Sequence, residues 1–69
     1  MKYNPNPKTV WELLVECKSR GLLLEVIIRN GFTGQIEATC DTYEAEDIYG
    51  EMIVLKHKRN KTRIEIWVA

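Results

Sequence analysis

Disulfide and metal staples are missing from this sequence. Its two cysteines, Cys17 and Cys40, lie far apart with no CxxC spacing and no histidine pair beside them, which is neither a disulfide framework nor a zinc pattern. Both read as buried thiols. His57 is the only histidine, and no Ser, His and Asp set forms around it, which removes the usual route to nucleophilic catalysis. The acids Asp41, Glu44, Glu46, Asp47 and Glu51 lack the alternating ligands and central glycine of a calcium loop. We therefore expect a non-enzymatic chain with no catalytic residue, no metal and no cofactor. Long apolar runs are also absent. The opening MKYNPNPK has no apolar core of a secretory leader, and no stretch approaches the roughly 18 residues of a membrane span. The expectation is a cytoplasmic, reducing location with no membrane partner.

A single domain over residues 1–69 is implied, since no repeat, linker or low-complexity tract interrupts the chain. A domain near this size buries only about 60% of the surface its unfolded chain exposes. Without staples, association with further copies of itself is the remaining source of extra stability. Net charge is zero, with ten Lys and Arg against ten Asp and Glu, so no overall field points to nucleic acid. The distribution is dipolar instead. Glu37, Asp41, Glu44, Glu46, Asp47 and Glu51 are followed by Lys56, Lys58, Arg59, Lys61 and Arg63, with no base inside the first group and no acid inside the second.

Residues 1–8, with Pro5 and Pro7, read as an N-terminal arm. A helix over 9–20 follows, starting either from Asn6 with Pro7 at the first position or from Thr9 with Glu12 three residues on. Val10, Leu13, Leu14 and Cys17 recur at helical spacing, and Gly21 supplies the stop. From Leu22 the period becomes two, and a β meander over 22–69 is expected. Asn30-Gly31 marks a hairpin. The register that keeps apolar residues on one face makes Arg29-Asn30-Gly31 the loop, with Ile28 opposite Phe32, Val26 opposite Gly34, Leu24 opposite Ile36 and Leu22 opposite Ala38. DTYEAEDIYGE reads as a long acidic loop over about 41–50. MIVLKHK and TRIEIWVA supply the third and fourth strands, joined by a tight basic link near Arg59-Asn60. Ile64, Ile66 and Val68 share one face of a final strand with a free edge, the kind of edge that natural monomers protect.

The order helix, Gly21, strand, Asn30-Gly31, a strand containing Gly34-Gln35-Ile36-Glu37, Asp41 and then Met52-Ile53-Val54-Leu55-Lys56 resembles the first motif of the Sm-like family (Sm, LSm and Hfq) over about residues 9–58. The resemblance implies a mainly β fold, an N-terminal helix followed by a strongly bent antiparallel meander closing into a small Sm-like or SH3-like barrel of four or five strands. It also implies rings, here of roughly five to seven copies, that bind single-stranded RNA.

The basic segment suits a phosphate backbone, because clustered Lys and Arg gain affinity by releasing counterions. The candidate RNA-binding residues are Asp41, Tyr43, Tyr49, Lys56, His57, Lys58, Arg59, Lys61 and Arg63, with Tyr43 and Tyr49 as stacking partners for unpaired bases. The candidate oligomer interface is Ile64, Ile66, Trp67 and Val68. Core or subunit packing is the reading for Trp11 and Trp67. A second class of function is open: acidic loop against basic hairpin between subunits, giving a homo-oligomeric protein-interaction module of Sm-like architecture that binds no RNA.

Overall fold

The computed structural model describes residues 8–69. The expected arm over residues 1–7, and the helix start at Asn6, lie outside them. Helix α1 spans Val10–Ser19, and Thr9 is its cap: the Thr9 hydroxyl accepts from the Glu12 amide at 3.2 Å, which is the second of the two expected starts. At the other end Gly21, at φ +76°, takes the left-handed position. The Leu22 amide donates to the Cys17 carbonyl at 3.0 Å and the Gly21 amide to the Lys18 carbonyl at 2.9 Å, the paired bonds of a Schellman stop. Val10, Leu13, Leu14 and Cys17 are the buried residues of this helix.

Four strands follow: β1 Glu25–Asn30, β2 Ile36–Cys40, β3 Val54–Arg59 and β4 Arg63–Val68. The chain is mainly β with an N-terminal helix, as expected. The connections differ from an unbroken meander. Between β2 and β3 the segment expected as a loop is a second helix, α2, Thr42–Tyr49. Asp41 caps it by accepting from the Glu44 amide at 2.8 Å, and Ala45 and Thr42 are buried beneath it. Helix α2 carries the chain from one side of the sheet to the other. The strand order is therefore β2-β1-β4-β3, with β1 and β4 parallel in the middle and antiparallel hairpins on either side. A parallel pair needs such a crossover, because a tight turn cannot return the chain in the same direction.

The β1–β2 register also differs from the expected one. Val26 pairs with Cys40, Ile28 with Ala38 and Arg29 with Ile36, with a bulge that leaves Glu37 extra. The loop is Gly31–Gln35, and its left-handed residue is Gly34, at φ +77°. Asn30 decides this: its side-chain Oδ1 accepts from the amides of Phe32 at 2.8 Å and Thr33 at 3.0 Å, while its carbonyl accepts from the Gly34 amide at 2.8 Å. Local hydrogen bonding of an Asn to its own turn outweighs the apolar pairing that put Phe32 in the core. Phe32 is instead 83% exposed.

The core is one cluster between the two helices and one face of the sheet. Leu14, Ile28, Ile64, Ile66, Val10 and Val26 are its largest fully buried side chains, each worth about 1.5–3 kcal/mol of transfer free energy. Here the expectation for the last strand is corrected. β4 lies in the interior of the sheet, hydrogen-bonded on both sides, and Ile64, Ile66 and Val68 are spent in the chain's own core, so they cannot form a subunit interface. The sheet edges among the described residues are β2 and β3. Among the described residues, the outer side of β3 is covered only at its start, where the Val54 amide donates to the Lys8 carbonyl at 2.9 Å and Thr9 bridges Ile53. Cys17 is buried and Cys40 half-buried. Trp11 is exposed on α1.

Candidate functional site

Edge strand β3 gathers most of the candidate cations. Lys56, His57, Lys58 and Arg59 are all exposed along it, and Lys61 is exposed in the turn that follows. That turn is fixed by Asn60, whose Oδ1 accepts from the amides of Thr62 at 2.9 Å and Arg63 at 2.8 Å. Arg63 enters β4, where its Nε lies 3.4 Å from the Glu25 carboxylate. Among the described residues, Lys56, Lys58, Arg59 and Lys61 form no ion pair.

Alternation divides these side chains between two faces. Lys56 pairs across the strand with Trp67 and Lys58 with Glu65, on the face that neither α1 nor α2 covers. His57 pairs with Ile66 and Arg59 with Ile64, on the side of α1.

On the open face an aromatic cleft of about 390 Å³ lies between β3 and the β1–β2 loop, lined by Gly31, Phe32, Gly34, Leu55, Lys56 and Trp67 among others. The Lys56 ammonium stands 4.5 Å from the centroid of the Trp67 ring and the Arg29 guanidinium 5.6 Å from it, both within cation–π range. Arg29 is pinned: Nη1 donates to the Gly34 carbonyl at 2.8 Å and Nη2 meets the Glu65 carboxylate at 3.2 Å. Lys56 makes no other polar contact among the described residues. The loop that presents Phe32 is held by the Asn30 bonds. Gly31 lets this loop sit close, since its amide donates to the Val68 carbonyl at 2.8 Å and a Cβ there would lie 2.3 Å from Leu55 Cδ1 and 2.7 Å from that carbonyl oxygen.

The other sequence-derived residues do not join this cleft. Asp41 is the cap of α2, and Tyr43 is exposed in its first turn with the Lys18 ammonium 5.0 Å from its ring. Both follow β2, at the opposite edge of the sheet from β3. Beside them Cys40 is pushed above the ordinary thiol value by burial, and then by the Glu44 and Asp41 carboxylates. Tyr49, at the end of α2, packs half-buried against the core. The aromatic residues that the structure brings to the cations are Phe32 and Trp67. Sequence reasoning placed both in apolar packing. The available signal was parity, since Trp67 alternates with Ile66 and Val68 and so faces away from them.

No group of three or more His, Cys, Asp or Glu side chains able to hold a metal occurs among the described residues, and no helix there is long and apolar enough to cross a membrane. Comparison with protein-family models, with curated proteins and with solved structures finds no match to any of them.

Proposed function

We propose that this chain is a non-catalytic module that binds single-stranded RNA along β3, stacking a base in the Phe32–Trp67 cleft and holding the phosphate backbone with Lys56, Lys58, Arg59 and Lys61. The observation that carries this reading is the coincidence, at one sheet edge, of four cations without ion-pair partners among the described residues and a preformed aromatic cleft. Aromatic stacking accepts any base, and clustered cations follow a backbone without reading sequence. Lys56 is the adaptable element: with its ammonium over Trp67 in the free protein, it can swing to a phosphate and free the ring for a base. Arg29, bonded to Gly34 and Glu65, stays in place.

The test is titration with a single-stranded oligoribonucleotide across a salt series. Binding that weakens steeply with salt, with a smaller slope after Lys58, Arg59 and Lys61 are changed together to Ala, supports the reading. Affinity unchanged in that triple variant rejects β3 as the site.

A second reading is favoured by the charge of the two edges. Asp41 and Glu44 stand at the end of β2 beside Cys40, whereas β3 is cationic. Copies meeting β2 to β3 would assemble head to tail, and such contacts close into rings or run on as filaments. Solution mass across concentration and salt decides: a discrete ring of about five to seven copies supports closure, and a monomer at all concentrations removes assembly altogether.

A further inference from the structure

The second face of β3 carries its own constellation. His57 and Arg59 point toward α1 and, with Arg20 at its C-cap and Lys8 just before it, surround a cleft of about 190 Å³. Leu13, Cys17 and Leu22 give it an apolar lining. Glu16 is the only acid in the wall, and Lys8 pairs with it. Its carboxyl is held below the ordinary value by Lys8 first and by Arg20 further out, so the fields of these two cations converge there. With Lys8 and Glu16 cancelling, Arg20 and Arg59 remain, and neither side chain has an ion-pair or hydrogen-bond partner among the described residues. Arg20 caps the helix through its backbone amide, which donates to the Cys17 carbonyl at 3.1 Å, and its side chain makes no hydrogen bond to the helix end among the described residues.

Two unengaged guanidinium groups and an imidazole from separate elements, facing one small space, have a definite complement. The cleft is smaller than the roughly 300–1,000 Å³ of pockets that enclose drug-sized ligands. A tetrahedral oxyanion fits its size and charge, and arginine forks match phosphate oxygens in pairs. We propose that this cleft, walled by Arg20, His57 and Arg59, is a phosphate site. The inference rests on the reading of β3 as an RNA-binding edge and deepens it: the strand passes around the outer side of β3, with a base at Trp67 on one face and a phosphate at Arg59 on the other. The phosphate is either an internal diester or a terminal monoester.

The experiment is NMR on the full chain, where His57, as the only histidine, gives one imidazole signal, and Arg20 and Arg59 report through their Nε–H groups. At fixed pH, inorganic phosphate should shift all three saturably, and chloride at matched ionic strength should not. Arg59→Gln should weaken phosphate binding by about ten- to a hundredfold, the loss expected for a charge-assisted hydrogen bond. Lys18→Gln, a cation paired with Glu46 and outside the cleft, should leave it unchanged. Shifts that do not saturate, or that survive Arg59→Gln in a folded variant, overturn the site. An oligoribonucleotide then tells the sources apart: better competition by the 5′-phosphorylated strand assigns a terminal monoester, and equal competition with its 5′-hydroxyl form assigns an internal diester. If the Trp67 indole never responds to RNA while His57 responds to phosphate, the RNA reading fails and the cleft stands. If Trp67 responds and His57 answers neither ligand, the cleft fails and the RNA reading stands.

Discussion

Thr42 is the buried polar residue of the described core, 2% exposed, and it ties α2 to the start of β1. Its hydroxyl donates to the Leu24 carbonyl at 2.8 Å and accepts from the Leu24 amide at 3.3 Å. Leu24 is itself buried, so water cannot replace the lost partner without opening the junction. Thr42→Val keeps the shape and strands both Leu24 groups. An unsatisfied buried group costs about 1–3 kcal/mol, and the long amide contact sits at the weak end of that range, so the pair together costs about 2–4 kcal/mol. A single core of this size rarely supplies more than about 3–5 kcal/mol. The variant should therefore lose a large share of its stability, from about two-fifths upward. In urea, with a slope of about 1 kcal/mol per molar for a small domain, the midpoint should fall by roughly 2–4 M. Thr42→Ser keeps the hydroxyl and gives up one methyl group, about 0.8 kcal/mol. Equilibrium unfolding followed by circular dichroism compares the three proteins. A Val variant within about 0.5 kcal/mol of the parent, the ordinary scatter of surface substitutions, or a Ser variant no better than Val, refutes the argument that these two bonds hold α2 to the sheet.

Gly31→Ala drives a methyl group into Leu55 and the Val68 carbonyl and should cost about 1–3 kcal/mol as overpacking, read from the same unfolding curves. Asp41→Ala removes the α2 cap and should cost about 1 kcal/mol, whereas Asp41→Asn should cost little. The thiol of Cys40 ionises at its ordinary value of 9.0 when unfolded and higher when folded. Stability contributed by this difference is present below pH 9.0 and declines as pH rises through that value, and Cys40→Ser should flatten the decline. Glu44→Gln should speed alkylation of Cys40 at constant pH, because it removes one of the two carboxylates that oppose the thiolate. Trp67→Ala should weaken RNA binding by about 1–3 kcal/mol for one stacked base, with circular dichroism showing the fold retained. Unchanged affinity would remove Trp67 from the site.

Local chemistry was legible in the sequence. Thr9-x-x-Glu12 and Gly21 bound α1, and the period-two runs place all four strands. What escaped is whatever depends on distant partners. The segment 41–50 reads as a loop because its charge dilutes the helical period: only Thr42 and Ala45 are buried, with Tyr49 half-buried against the core. Asp41 with Glu44 three residues on is nonetheless a start signal for a helix. Once α2 exists, β3 arrives at the far side of the sheet and β4 inserts beside β1, which exchanges the roles of the last two strands. Parity still assigned Ile64, Ile66 and Val68 to one face correctly, but parity says nothing about whether a strand lies at the edge or in the middle. For the candidate site, the cations were legible as a cluster and their aromatic partners were not, since the register that set Phe32 opposite Ile28 is overridden by the Asn30 turn and Trp67 was read as core or subunit packing.

The division of chemistry between the faces of β3 follows from one extra residue. Val54 pairs with Val68, but Lys56 pairs with Trp67, so Leu55 is a bulge. Without it Leu55 would stand opposite Trp67 and every later side chain would change face, turning Lys56 and Lys58 toward the core side and His57 and Arg59 outward. Bulges commonly re-aim side chains in this way. The rest of the open face offers a ligand little. Arg29 with Glu65 and Arg63 with Glu25 link neighbouring strands β1 and β4, and Ile27, only 7% exposed, lies on the same face of β1, outside the main core cluster. Such half-exposed pairs add little stability. Their effect is to neutralise the centre of the sheet, so that uncompensated charge and accessible aromatic surface coincide only where the bulge has turned Lys56 toward Trp67.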